Sequence, residues 1–130
     1  MIGPAVFALL HNNTLVRGLV DSRITPGIIP QDQPTPCIWF GTDRIKLLPV
    51  RNPMGCFRGT LEVGFEVAED SYDQLELLDK AIRAVLDNFS GISVGARLTI
   101  EPGQQTPDDF NEQTRLLNRA LEFEITGQTI

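Results

Sequence analysis

The clearest pattern in the chain is an alternation of apolar and polar residues over positions 56–68. Apolar side chains fall on every second position, while Arg58, Glu62 and Glu66 occupy positions between them. Successive side chains of a strand point to opposite faces, so this alternation predicts a strand with one buried and one wet face.

Three other segments have the pattern of strands. Apolar residues alternate again over 92–100 and over 117–125, and Cys37–Phe40 is a short β-prone run between a proline and a glycine. With the strand at 56–68, these segments predict about four strands.

Helical spacing of apolar residues is found over 71–89. The residues that share this spacing are Leu75, Leu78, Ile82, Val85 and Phe89. Ser71 followed by Gln74 matches a capping box, which favours a helix that starts there. A short N-terminal helical unit is also predicted, because Pro4 fits the first turn of a helix and Asn13 can cap a second segment.

Together these elements predict an α+β fold in a single domain, residues 1–130. It would contain a mainly antiparallel sheet of about four strands, a short N-terminal helical unit and one long amphipathic helix packed on one face. Four prolines make Thr25–Pro36 an extended connector, and polar Gly103–Glu112 is expected to be a loop.

Composition narrows the range of functions. The 130 residues are 42% hydrophobic, and the apolar run Ala5–Leu10 is far shorter than the roughly 20 residues of a membrane span, so no membrane association is expected. No signal peptide is recognised, which predicts synthesis in the cytoplasm. Cys37 and Cys56 are read as free thiols, and with His11 they fall short of a zinc ligand set. No phosphate-binding glycine loop occurs, and no metal or cofactor is predicted.

Charge is distributed unevenly along the chain. Residues 1–60 have six Lys/Arg and three Asp/Glu, whereas residues 61–130 have five and fourteen. The basic residues Arg44, Lys46, Arg51 and Arg58 lie in a stretch without any acid. In a ring of identical subunits, such a patch can meet an acidic patch of the next copy, so these four are predicted interface residues. The alternative is a solvated loop with scattered charges.

One string has the appearance of a catalytic motif. Gly91-Ile92-Ser93-Val94-Gly95 matches the G-x-S-x-G pattern, but that motif requires a strand before the serine and a helix after it. Here the predicted order is reversed, so Ser93 is interpreted as structural and a small hydrolase is a remote alternative. His11 is interpreted as a last-turn helix residue.

The acidic residues around the predicted helix have a simple interpretation. They are Glu69, Asp70, Asp73, Glu76, Asp79 and Asp87. They surround an amphipathic helix on its polar side, so they are expected to form a solvated face. No catalytic residues are predicted, and the chain is not expected to be an enzyme.

The segment 16–40 resembles the opening of phage tail terminator (tail completion) proteins. In that family a small helical unit leads into an Arg-Ile-x-Pro step, then a Pro-Gln pair, then a proline that introduces the first strand. Arg23-Ile24, Pro26, Pro30-Gln31 and Pro36 match this order, and the later succession of strands and helix is similar across nearly the whole chain.

The resemblance implies a structural virion protein, made in the host cytoplasm, that forms a ring, commonly a hexamer. Such a ring caps the tail tube and joins it to the head, so the implied partners are further copies, the tail tube protein and a head completion or connector protein. DNA passes through without specific binding. Another head–tail joining (neck) component is the alternative within this class.

A ring with DNA in its centre gives meaning to the polar strand positions. Glu62, Glu66, Glu122 and Glu124 are expected on the sheet side opposite the core. A negative lumen would repel DNA and discourage adhesion, so these four are predicted to face the lumen. Plain solvent exposure is the alternative.

Overall fold

The computed structural model describes residues 3–27, 34–47 and 56–129. In chain order the elements are α1 (Gly3–His11), α2 (Thr14–Val20), β1 (Ile24–Pro26), β2 (Cys37–Leu47), β3 (Cys56–Ala68), α3 (Tyr72–Leu86), β4 (Ser90–Ser93), β5 (Ala96–Ile100), β6 (Gln104–Gln105), β7 (Asp109–Asn111) and β8 (Leu116–Thr129). Within these residues no helix is long and apolar enough to span a membrane.

The predicted fold class is wrong. The chain is mostly sheet, with 46% strand and 29% helix, and its described part contains eight strands and three short helices. The sheet has twice the predicted number of strands in the described residues. The predicted long helix is also absent there, because α3 ends at Leu86 after 15 residues.

Two sheet segments escaped prediction for different reasons. The expected strand over 92–100 is a hairpin, β4 and β5, because the chain turns at Val94-Gly95 without breaking the apolar alternation. The expected loop over 103–112 forms β6 and β7 along β8. Strand pairing there uses backbone groups, so it needs no apolar pattern.

The sheet is almost entirely antiparallel. Its strand order is β1-β2-β3-β8-β5-β4, and β6 and β7 also pair with β8. Among the described strands, β1 and β2 are the one parallel pair. The helix α1 contacts both β1 and β4, the two outer strands of this order. The sheet therefore curls into a half-barrel around the helices, which lie on its concave face.

The core fills the concave face. Odd-numbered positions of β3 and β8 point inward, and Phe57, Phe65 and Phe123 are fully buried there. The helices contribute further buried residues: Ala5, Val6, Leu10, Val16, Val20, Leu75, Leu78, Ala81, Ile82 and Leu86. Even-numbered positions of β3 and β8 consequently lie on the convex face, where Arg58 and Glu124 are exposed.

Of the two predicted helix caps, the structure has the one at Asn13 but not the one at Ser71. Asn13 caps α2, since its side-chain oxygen accepts hydrogen bonds from the backbone N–H groups of Leu15 (3.0 Å) and Val16 (3.1 Å). The expected capping box is wrong, because Ser71 makes no side-chain cap hydrogen bond and its hydroxyl donates to Asp70 instead.

Candidate functional site

Three of the four predicted lumen carboxylates lie together on the convex face. Glu62 in β3 is directly opposite Glu122 in β8, and Glu124 is one residue pair further along, opposite Thr60. Opposed side chains of antiparallel strands are neighbours on one face. We call Glu62, Glu122 and Glu124 the convex cluster.

A cleft of about 230 Å³ adjoins the convex cluster. Glu122 and Glu124 line it together with Thr60, Glu101 and Gln104. In the described part of the chain, no group of three His, Cys, Asp or Glu side chains has the arrangement of a metal site. The cleft therefore presents negative charge without a metal-binding geometry.

The fourth predicted lumen residue, Glu66, lies apart from the convex cluster. It is opposite Asn118 on one side and Cys37 on the other, and burial raises its carboxyl pKa above the ordinary value. Burial also raises the pKa of the Cys37 thiol to about 11, and the neighbouring Glu66 carboxylate acts in the same direction. Cys37 is thus a protonated, buried thiol and not a nucleophile.

The predicted basic residues are only partly described. Lys46 and Arg58 are directly paired in the β2–β3 ladder, and the backbone of Arg44 also belongs to β2. Arg58 is exposed, whereas Arg51 lies outside the described residues.

Sequence reasoning missed a further basic residue, Arg97. It is exposed in β5 and opposite Gln128 of β8, on the same convex face as Arg58. The signal was available, because Arg97 occupies a polar position in the alternating stretch 92–100. One end of the convex face is therefore basic, next to the convex cluster.

A second group of carboxylates surrounds Arg119 on the concave side of β8. The Arg119 side chain is 3% exposed. Its guanidinium donates to both oxygens of Asp108 (2.6 and 2.9 Å), to Asp79 (2.9 Å) and to Glu76 (2.8 Å). These hydrogen bonds hold the pKa of Asp108 and of Glu76 below their ordinary values. We call Glu76, Asp79 and Asp108 with Arg119 the concave cluster.

Arg83 extends the concave cluster to the chain segment before β6. Its guanidinium donates to Asp79 (2.8 Å) and to the Gly103 carbonyl (2.7 Å), while the Asp87 carboxylate accepts from the Gly103 N–H (2.8 Å). The expectation that the helix acids form a solvated face is thus wrong for Asp79, which is buried. These contacts fasten the segment around Gly103 to α3.

The two side chains considered for catalysis have structural environments. Ser93 is buried, and its hydroxyl donates to the Ala5 carbonyl at 2.8 Å, so the string Gly91–Gly95 forms a hairpin and not a strand–helix elbow. His11 ends α1 and stacks on Phe7 with ring centroids 5.1 Å apart. Its buried Nδ1 has no hydrogen-bond partner among the described residues.

The residues of the Arg-Ile-x-Pro step join the helical unit to the sheet. The Arg23 guanidinium donates to the Pro36 carbonyl at 2.8 Å, and Ile24 is buried in β1 opposite Ile38 of β2. The Pro30-Gln31 pair lies outside the described residues. Arg23 and Pro36 therefore connect the start of β1 to the start of β2.

Comparisons with known proteins show where else this fold occurs. No family model and no curated protein sequence matches the chain. The fold itself is found in a virion. A chain in the virion of a native gene transfer agent (GTA) particle is similar over 95% of this protein and 92% of its own length, with a TM-score of 0.66 and 11% sequence identity. At that identity the comparison establishes a shared fold.

Proposed function

We propose that the protein is a structural subunit of a phage-like virion and forms the ring that terminates the tail tube and joins it to the head. The observation that carries the proposal is the match of the whole fold to a chain of the GTA virion, which covers nearly all of both chains. In this role the protein works through its surfaces and needs no catalytic residue or cofactor.

The tail terminator role is the more specific part of the proposal. It is supported by the resemblance of the segment Arg23–Pro36 to tail terminator proteins. Arg23, Ile24, Pro26 and Pro36, which carry the resemblance, lie at one junction between the helices and the sheet. In this chain the residues of the resemblance join the helical unit to the start of the sheet. Further copies, the tail tube protein and a head completion or connector protein are the proposed partners.

The charged convex face is the proposed site of contact and DNA passage. Lys46 and Arg58, with Arg44 and Arg51, provide the basic side of a subunit contact. Glu62, Glu122 and Glu124, with Glu66 further along, line the lumen and repel the DNA phosphates. The direct opposition of Glu62 and Glu122 concentrates negative charge on this face.

The decisive experiment is deletion of the gene in its phage or prophage, followed by electron microscopy of the particles. A terminator deletion is expected to give overlong tails that lack heads, and the wild-type gene in trans should restore normal particles. Tails of normal length that lack heads would favour the alternative neck component. Normal virions would contradict the virion role altogether.

The charge part of the proposal has its own test. Replacing Lys46 and Arg58 by Gln should weaken ring assembly of the purified protein, and added salt should weaken wild-type assembly in the same direction. Size measurements by light scattering at low and high salt make this comparison. Wild-type assembly that is indifferent to salt would contradict the charged contact.

A further inference from the structure

The tip of the β4–β5 hairpin exposes two aliphatic side chains. Ile92 is 60% and Val94 is 61% exposed. Ser93 pairs with Ala96, so the turn has two central residues, Val94 and Gly95, with φ of 44° and 74°. A two-residue turn with both φ values positive favours Asn-Gly, and a β-branched residue at the first position is strained. Val94 therefore stabilises neither the turn nor the core.

The base of this hairpin is held firmly. The Ser93 hydroxyl donates to the Ala5 carbonyl of α1, and Ala96 is buried. Ile92 and Val94 are consequently held at a fixed position beside the end of α1, where they line a cleft with Leu9 and Asn12. Strain that persists at an exposed residue on a fixed support points to a contact made by its side chain.

An apolar groove of about 480 Å³ lies elsewhere on the same subunit, between α2 and α3. It is lined by Leu15, Gly18, Leu19, Leu77, Ala81 and Ala84, and also by Thr14 and Lys80. Leu15 is 64% and Leu77 is 53% exposed. The groove shares no lining residue with the hairpin tip, although the cleft that the tip forms with α1 reaches Asn13, the residue before Thr14 of the groove.

The charges beside the two surfaces are complementary. Exposed Arg97 lies directly opposite Ile92 in the hairpin. Asp73 lies near Leu77 at the border of the groove, beside Lys80 and beside Glu76, whose carboxylate already accepts a hydrogen bond from Arg119. A hairpin tip that enters the groove of another copy would bring an apolar pair onto an apolar lining and Arg97 towards Asp73.

We propose that the β4–β5 hairpin tip of one subunit docks into the α2–α3 groove of the next copy. This inference rests on the proposed ring function and specifies its contact. Each subunit would use its tip in one contact and its groove in another, the head-to-tail arrangement that closes a ring of identical chains.

The substitution Val94→Asn tests the tip. It creates the favoured Asn-Gly turn, so the melting temperature of the isolated subunit should rise by a few degrees, while the concentration needed for assembly should rise by roughly tenfold or more. Scanning calorimetry and sedimentation velocity measure the two effects. A higher melting temperature together with weaker assembly supports docking. A higher melting temperature with unchanged assembly overturns it.

The substitution Leu77→Glu tests the groove, with Gln74→Glu as a matched control that adds the same charge to α3 outside the groove lining. Leu77→Glu should abolish assembly and Gln74→Glu should not. Mixing Val94→Asn with Leu77→Glu leaves one intact groove and one intact tip, so the mixture should stop at a one-to-one dimer. A mixture that remains monomeric overturns the contact, and one that forms full rings overturns it as well.

The outcome for wild type separates this inference from the ring function. A wild-type chain that sediments as a monomer at every concentration, or stops at a symmetric dimer, overturns the head-to-tail docking. The particle phenotype of the gene deletion is scored independently. Overlong tails together with normal assembly of Val94→Asn would leave the tail role standing and remove only the docking contact.

Discussion

Each face of β8 has a cluster of carboxylates, and the two clusters differ in whether a cation lies among them. On the concave side, Glu76, Asp79 and Asp108 share the guanidinium of Arg119. On the convex side, Glu62 and Glu122 oppose each other, with Glu124 next to them. The first arrangement joins strand, helix and loop. The second places carboxylates opposite one another on one face of the sheet.

The largest effect is expected from removing the cation of the concave cluster. Arg119→Met leaves Asp79 and Asp108 without their shared partner in a largely buried position. The free energy of unfolding should fall by about 3 kcal/mol, near the lower end for a broken buried pair because Asp108 and Glu76 keep some contact with water. Denaturant titration measures the loss.

Arg115→Met is the matched control for that substitution. Arg115 pairs with Glu69 at an exposed position, where an ion pair contributes little to stability. If both variants lose the same amount of stability, the distinction between the two kinds of cluster is removed.

A smaller effect is expected from Asp108→Asn, and it depends on pH. Hydrogen bonding from Arg119 lowers the pKa of Asp108 below its ordinary 3.8. The ionised carboxylate therefore stabilises the fold above that pH, and the contribution disappears as the pH falls through the lowered value. Asp108→Asn should cost about 1.5 kcal/mol at pH 7.

The stabilities of wild type and Asp108→Asn should become equal in acid. Unfolding curves between pH 7 and pH 2 are expected to show the gap between wild type and Asp108→Asn closing below pH 3.8. A gap that is constant over this range would mean that Asp108 acts through packing and not through its charge.

The smallest effect, and one of opposite sign, is expected in the convex cluster. Glu122→Gln removes one of two opposed carboxylates and should raise the free energy of unfolding by about 0.3 kcal/mol. The gain should shrink in high salt, where the repulsion is screened. A loss of stability would show that Glu122 stabilises the subunit and would weaken the comparison between the two faces.

Sequence reasoning recovered the elements with a strict pattern. The strand over 56–68 is β3 as predicted, because its alternating residues face a core on one side and solvent on the other. The same alternation placed Glu62 and Glu122 on one face. It also failed at Val94-Gly95, because Ile92 and Val94 continue an apolar pattern while their side chains are exposed.

Contacts between segments far apart in the chain could not be predicted from the sequence. The stretch 104–111 has no apolar pattern, yet it pairs along β8. Asp79 has the appearance of any exposed helix acid until β8 brings Arg119 to it, 40 residues later in the chain. These contacts depend on the strand order, which no local signal in either segment specifies. The roles of the basic stretch and of the lumen carboxylates remain predictions for the assembly experiments.

The extended pairing of β3 with β8 has a mechanical consequence. All thirteen residues of β3 are in register with β8, from Cys56 opposite Gln128 to Ala68 opposite Leu116. Tension applied along these strands loads the whole ladder at once in shear, so no single hydrogen bond yields first. If the subunit is part of a virion as proposed, this geometry would let it transmit force without unzipping.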